Sequence, residues 1–300
     1  MPAFLGRRVI DVSAEELVPY IDWSPFFATW ELRAAYPRVL DHPDFGEAAR
    51  ELFAHAQEML ERIVTEAWIT PRAVVAFAPA YADGDDIVVG ATDATEALRV
   101  HTLRQQKQKP GEEQRNLALS DFVAPEGGPP DFLGGFAVSA GHGVQERAAA
   151  FEAEHDDYQS ILLKALADRL AEACAEWLHE RVRAWWGYEE LGCFDNAALV
   201  QERYQGIRPA PGYPACPDHT EKPALMAWLD AEASVGVTLT ESLAMAPASS
   251  VCGWYFSHPS SRYFTVAPVG ADQVEALASR KGMSVSALER WLAPSLSYDP

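Results

Sequence analysis

Apolar residues recur every three or four positions along residues 44–68, the spacing of a helix with one buried face. Asp44 precedes the first of them and is a suitable N-cap residue. We therefore predict a helix over 44–68. Its apolar stripe consists of Ala48, Leu52, Phe53, Ala56, Met59, Leu60 and Ile63.

A longer helical pattern covers residues 145–185, and we predict one continuous helix there. Acidic residues occupy many positions outside its apolar stripe, and we expect most of them to form a solvated face. These acids are Glu152, Glu154, Asp156, Asp157, Asp168, Glu172, Glu176 and Glu180.

Shorter apolar runs bounded by turn residues predict strands. Asp83-Gly84-Asp85 is a turn that joins the first two of them into a hairpin, and Gly134-Gly135 suggests a bulge in the third. The predicted strands are 73–78, 87–89, 132–138, 235–239, 251–256 and 262–266.

The remaining segments complete an irregular order of helices and strands without an internal repeat. Further helices are predicted at 196–204, 221–231, 271–280 and 284–292, the last with Ser284 as N-cap, and a polar loop at 110–116. This order favours an α+β fold with an antiparallel sheet over alternating βαβ units.

The net charge of the chain is strongly negative, which argues against partners that are themselves anionic. Its 24 basic and 44 acidic residues give a net charge of −20. Such a surface repels phosphate backbones and anionic headgroups, so we expect neither nucleic-acid nor membrane binding. No apolar run approaches the roughly 20 residues of a membrane span, and the first residues lack the apolar region of a signal peptide.

Most familiar catalytic and metal-binding motifs are absent from the sequence. There is no Gly-x-Ser-x-Gly and no phosphate-binding loop, and Gly141-x-Gly143 lacks the third glycine of a dinucleotide fingerprint. Cys216-x-x-His219 is the best local metal pair, but no second pair accompanies it, so we expect no metal site. The four cysteines have no CxxC spacing, which favours free thiols in a reducing cytoplasm.

The most unusual segment is residues 206–217, where four prolines and two glycines preclude regular structure. Arg208 offers a guanidinium fork that suits the carboxylate of a small ligand. Because proline has no N–H, backbone donors would come from Ala210, Gly212, Tyr213 and Ala215. A purely structural loop braced by Arg208 remains an alternative.

The segment Arg208 to Pro214 contains Arg-x-x-x-Gly-Tyr-Pro, and here the chain resembles the C-terminal activation domain of cobalamin-dependent methionine synthase. Other blocks that resemble this family lie along nearly the whole chain, in the same order as in the family. They include Tyr20 to Phe27 (YIDWSPFF), Leu103 to Gln106 (LRQQ), Asp121 to Pro125 (DFVAP), Glu154 to Tyr158 (EHDDY), Ala165 to Ala173 (ALADRLAEA), Gly253 to Pro259 (GWYFSHP) and Glu289 to Pro294 (ERWLAP).

The resemblance implies a single domain over 1–300, with 1–20 as an N-terminal arm and 21–300 as the core. The implied fold is a C-shaped α+β domain with a twisted antiparallel sheet flanked by long helices. It implies S-adenosylmethionine as the ligand, with Arg208 on its carboxylate. It also implies that Asp22 is ionised and faces the ligand rather than capping a helix. The other implied ligand-binding residues are Glu172, Ala210, Gly212, Tyr213, Tyr263 and Phe264.

The implied role is reductive reactivation of cobalamin, with S-adenosylmethionine as methyl donor. A cobalamin-binding domain or subunit and a flavodoxin-type reductase are the implied partners. The chain lacks the family's Asp-x-His-x-x-Gly cobalamin motif and its Cys-Cys zinc site. We therefore expect a free-standing module, a split subunit or an excised piece without a complete active site. A ligand-independent docking module and a small-molecule methyltransferase remain alternatives, although no base or nucleophile for the latter is evident.

Overall fold

The computed structural model describes residues 1–107 and 115–300. Most of the predicted polar loop at 110–116 therefore lies outside the described residues. The helices are α1 (Ala14–Leu17), α2 (Trp23–Thr29), α3 (Gly46–Thr65), α4 (Val144–Ala153), α5 (Asp157–Trp186), α6 (Asn196–Val200), α7 (Lys222–Trp228), α8 (Ala231–Val235), α9 (Ala271–Lys281) and α10 (Val285–Leu292). The strands are β1 (Gly6–Ile10), β2 (Arg72–Asp83), β3 (Asp86–Val89), β4 (Leu98–His101), β5 (Asp131–Ser139), β6 (Thr238–Leu239), β7 (Met245–Ala246) and β8 (Ser250–Tyr255).

The main sheet is antiparallel and has the order β4-β3-β2-β5-β8. Strand β2 is long enough to pair twice along one side, with β1 over its first half and with β3 over its second half. The sheet therefore curls around β2. Strand β8 is the last strand in this order. Residues 206–217, called the ligand loop below, attach to its outer edge.

Two hydrophobic cores cover the two faces of this sheet, which explains why nearly every residue of β2 is apolar. Ala73, Val75 and Phe77 belong to the core beneath α2, α3 and α5. Val74 and Ala76 alternate with them and belong to the core beneath α7 and α8. A third, smaller core joins α9 to α10.

Several sequence predictions need correction. The predicted helix at 145–185 is two helices, because His155 has a left-handed backbone (φ 61°) and Asp156 caps α5 by accepting from the Gln159 N–H. Asp44 does not cap α3, whose N-cap is Phe45. Gly134-Gly135 pairs in regular register with both neighbouring strands and forms no bulge.

Two further predictions fail at the C-terminal half of the chain and on α5. Residues 262–266 form no strand. Glu176 and Glu180 are buried rather than solvated, because α5 contacts α2, α3, α4 and the sheet on several sides. The helices at 271–280 and 284–292 are confirmed, with Ser284 capping α10 by accepting from the Ala287 N–H.

Candidate functional site

The loop 206–217 is fastened to the free edge of β8 by backbone hydrogen bonds. Ile207 and Phe256 exchange two bonds of 3.0 Å, and the Trp254 N–H donates to the Pro209 carbonyl at 2.9 Å. Pro209 can serve only as an acceptor at this edge. A Cβ atom at Gly253 would lie 2.8 Å from the Pro209 oxygen, so glycine is required for this close approach. Arg208 is thereby fixed between two anchored residues.

The Arg208 guanidinium uses one of its three nitrogens for all of its contacts. Nη1 forms an ion pair with Glu176 Oε2 at 2.7 Å and donates to the Tyr204 hydroxyl at 2.8 Å. It also lies 3.3 Å from Nδ1 of His179, which must be an acceptor because arginine carries only donors. Within residues 1–107 and 115–300, no partner faces Nε or Nη2, and neither atom is among the buried unpaired groups.

A cavity of about 450 Å³ opens beside Arg208. Its walls are the ligand loop, the segment around Tyr263, part of β5 and β8, and one side chain of α5. The Val266 N–H donates to the Pro214 carbonyl at 2.9 Å and joins the first two walls. Of the residues implied by the resemblance, those on this cavity are Glu172, Arg208, Ala210, Tyr213, Tyr263 and Phe264.

Gly212 lies away from the cavity wall and supports the loop from behind. Its backbone (φ +99°) is so close to the His219 ring that a Cβ atom would lie 2.2 Å from Cε1. Its N–H donates to the Cys216 carbonyl at 2.7 Å, and the Tyr213 N–H donates to the Ala210 carbonyl at 3.1 Å. Two of the four predicted backbone donors are therefore used within the loop itself.

Asp22 caps a helix, contrary to our prediction. Its Oδ1 accepts from the Ser24 N–H at 3.0 Å at the start of α2. The same side chain lines a second cavity of about 300 Å³, which shares Glu172, Glu202 and Arg208 with the first. Capping and a position beside the candidate site thus coexist, because the cap occupies only one carboxylate oxygen.

The model of one protein family matches residues 13–282, and it is described as the activation domain of vitamin B12 dependent methionine synthase. The chain belongs to this family. A crystal structure of the MetH reactivation domain bound to AdoHcy is similar to it, with 51% sequence identity and a TM-score of 0.94. The match covers 99% of this chain and 92% of the other. These findings confirm the α+β fold and the resemblance inferred from the sequence.

Sequence reasoning missed three residues of this activation domain that surround Arg208. Glu176 was one of eight acids of which most were expected on a solvated face, although it lies four residues after Glu172 and therefore one turn further along the same side of α5. That spacing is a signal that could have identified it. Glu202 and Tyr204 fall in the helix predicted at 196–204, but α6 ends at Val200 and both residues lie in irregular backbone before the loop.

Burial and charge shift several pKa values around the cavity. Burial lowers the pKa of Arg208, but the charge of Glu176 and the neighbouring tyrosine hydroxyls together outweigh it and hold that pKa well above its usual value. Burial, followed by the charges of Arg183 and Arg208, keeps the pKa of His179 well below its usual 6.5, so its ring is neutral at pH 7. Burial also raises the pKa of Glu202, against the opposing charge of Arg208.

The described part of the activation domain contains no group of three or more His, Cys, Asp and Glu side chains arranged to hold a metal ion. Cys216 is buried and His219 packs behind Gly212, so their side chains have roles in the loop. In the same residues, no helix is long and apolar enough to cross a membrane.

Proposed function

We propose that this activation domain binds S-adenosylmethionine in the cavity beside Arg208 and supplies its methyl group during reactivation of cobalamin. The observation that carries the proposal is the pair of unpartnered nitrogens, Nε and Nη2, on a guanidinium fixed at the cavity. One edge of a guanidinium matches the two oxygens of a carboxylate. The AdoHcy complex of the similar MetH domain supports this choice, since AdoHcy is the demethylated form of the same molecule.

The rest of the cavity provides groups for the other parts of this ligand. Glu172 and Glu202 supply negative charge for the ammonium and sulfonium groups, and Asp22 lies in the adjoining cavity. Tyr213, Tyr263 and Phe264 provide aromatic surface for the adenine. The volume of about 450 Å³ is within the usual range for small-molecule sites.

Reactivation of cobalamin requires two partners besides S-adenosylmethionine: an electron donor and the protein that carries cobalamin. S-adenosylmethionine provides a methyl group, and a flavodoxin-type donor provides the electron that returns oxidised cobalamin to its methylated state. Cobalamin itself belongs to a separate domain or subunit, since this chain has no Asp-x-His-x-x-Gly motif. We expect a single domain over 1–300 in the cytoplasm, where its four free thiols are kept reduced.

Isothermal titration of the purified chain with S-adenosylmethionine and with S-adenosylhomocysteine tests the proposal. We expect both to bind with a stoichiometry of one, and Arg208→Ala to weaken both. Arg62→Ala is a matched control, because Arg62 forms an exposed ion pair with Glu66 on α3 and does not line the cavity. If neither ligand binds the folded chain, the proposal is wrong and a ligand-independent docking module becomes the better interpretation.

A further inference from the structure

Glu176 lies within an alternating row of acidic and basic side chains that begins in the protein interior and ends at the cavity. The row starts with Glu189, whose Oε2 accepts from Nε of Arg183 at 2.6 Å. Nη1 of Arg183 lies 3.7 Å from Glu176 Oε1, an ion-pair contact too long for a hydrogen bond. Oε2 of Glu176 then forms an ion pair with Nη1 of Arg208 at 2.7 Å. Arg208 lines both cavities, whereas Glu176 lines only the smaller one that Asp22 also lines.

The two central side chains of this row, Arg183 and Glu176, are buried, so water has little access to the contact between them. The Arg183 side chain is 0% exposed and that of Glu176 is 9% exposed, so water cannot easily replace either partner. The ring of Tyr204 packs over the Arg183 guanidinium at 4.1 Å, while its hydroxyl accepts from Nη1 of Arg208. Glu176 and Tyr204 are therefore held in place by Arg183 on the side away from the cavity.

Because the guanidinium of Arg208 is planar, restraining one of its nitrogens also restrains the orientation of the whole group. Its five N–H groups form a rigid fork, so fixing Nη1 fixes the orientation of the whole group. Nη1 is held by Glu176 and Tyr204, and the backbone of Arg208 is held by its two anchored neighbours. The edge formed by Nε and Nη2 is then the part left for an incoming carboxylate.

We propose that Glu176 and Tyr204 are positioning residues, which hold Nη1 of Arg208 so that its Nε–Nη2 edge receives the ligand carboxylate. This inference rests on the proposed function, because it concerns how Arg208 binds the ligand. Neither residue is expected to touch the ligand carboxylate, which distinguishes them from Arg208. Their effect should therefore depend on whether the ligand carries a carboxylate.

Two ligands separate positioning from a general structural role. S-adenosylhomocysteine carries the carboxylate, whereas 5′-methylthioadenosine lacks it and retains the adenosine. For Glu176→Ala we expect S-adenosylhomocysteine to bind at least roughly 10-fold more weakly, the loss typical of a charged hydrogen bond. Glu176→Gln keeps an acceptor oxygen and should remain within about threefold of the original chain. Both variants should bind 5′-methylthioadenosine as the original chain does.

Tyr204→Phe serves as a second variant in case Glu176→Ala, which leaves two arginines without their acid, does not fold. It retains the ring over Arg183 and removes only the hydroxyl. We expect S-adenosylhomocysteine binding to fall by roughly 2- to 10-fold, the loss of one ordinary hydrogen bond, with 5′-methylthioadenosine unaffected. In an Arg208→Ala background, Tyr204→Phe should cause no further loss.

The outcomes distinguish this inference from the proposed function. If S-adenosylhomocysteine does not bind the original chain, the proposed function fails first. If it binds and depends on Arg208, but Tyr204→Phe and a folded Glu176→Ala both bind it normally, the positioning role is wrong. An equal loss for both ligands also overturns it, because that result indicates a collapsed cavity.

Discussion

Two cations with acidic partners lie at different places in this domain, with 7% of the Lys281 side chain and 19% of the Arg208 side chain exposed. They differ in whether all hydrogen-bonding groups around them have partners. Lys281, at the end of α9, pairs with Asp218 at 2.7 Å and with Glu221. All four oxygens of these two acids have donors, since Thr220 donates to both oxygens of Asp218 and the His101 N–H to Glu221. Arg208, in contrast, leaves Nε and Nη2 without a partner among the described residues.

The difference shows how a buried charge can indicate a binding site. The Lys281 cluster is complete without a ligand, and it joins α9 to the segment that follows the ligand loop. The Arg208 cluster is incomplete, because Nε and Nη2 of Arg208, Oε1 of Glu176 and both terminal nitrogens of Arg183 lack hydrogen-bond partners among the described residues. We infer that the first cluster contributes to stability and the second to binding. The following changes test this division.

Lys281→Met should have the largest effect, and the effect should be on stability. It leaves Asp218 and Glu221, which are 3% and 2% exposed, without their cation. Removing one partner of a buried pair costs about 3–5 kcal/mol of unfolding free energy. Urea denaturation measures this loss. Lys164→Met is the matched control, because the Lys164–Glu152 pair is about half exposed and should contribute at most about 1 kcal/mol. Similar losses for the two variants would contradict the assignment.

Arg208→Ala should mainly weaken ligand binding and have less effect on stability. We expect it to weaken S-adenosylmethionine binding by about 1.5–3 kcal/mol, the contribution of hydrogen bonds to a charged group. Its loss of unfolding free energy should be smaller than that of Lys281→Met, because Arg183 still faces Glu176 and the shortened side chain admits water. Titration calorimetry and urea denaturation of the same sample give both values. An unchanged dissociation constant in a folded variant would refute the role of Arg208.

The sequence predicted the Arg208 region far better than it predicted the Lys281 region. The proline-rich loop stands out by composition, and Arg208 is the one charged residue of its sequence, 206–217. Lys281 pairs with residues 60 or more positions away, and no local pattern reveals such a contact. The buried acids of α5 were missed for a related reason. Helical periodicity predicts which residues share a face, but it does not show how many faces pack against other elements.

Acidification should affect the Arg208 cluster through His179. Because the folded-state pKa of His179 is well below 6.5, the unfolded chain takes up a proton near that pH and the folded chain does not. Stability should therefore fall as pH decreases below about 6.5, by up to about 1.4 kcal/mol per pH unit from this residue. His179→Asn should lose this part of the slope. Urea denaturation at pH 7.5, 6.5 and 5.5 compares the two slopes, and equal slopes would show that His179 is not the titrating group.

Asp22 should have the smallest effect, and it separates capping from ligand binding. We expected Asp22 to face the ligand rather than cap a helix, although Pro25, in the first turn of α2, is a helix-start signal that could have indicated the cap. Asn is as good an N-cap as Asp, so Asp22→Asn should leave the unfolding free energy within about 0.5 kcal/mol, while Asp22→Ala should lose about 1 kcal/mol. If the free oxygen also faces the ligand, Asp22→Asn alone should weaken S-adenosylmethionine binding, because the positive charges of the ligand lose an acid. Normal binding by Asp22→Asn with a destabilised Asp22→Ala would restrict Asp22 to capping α2.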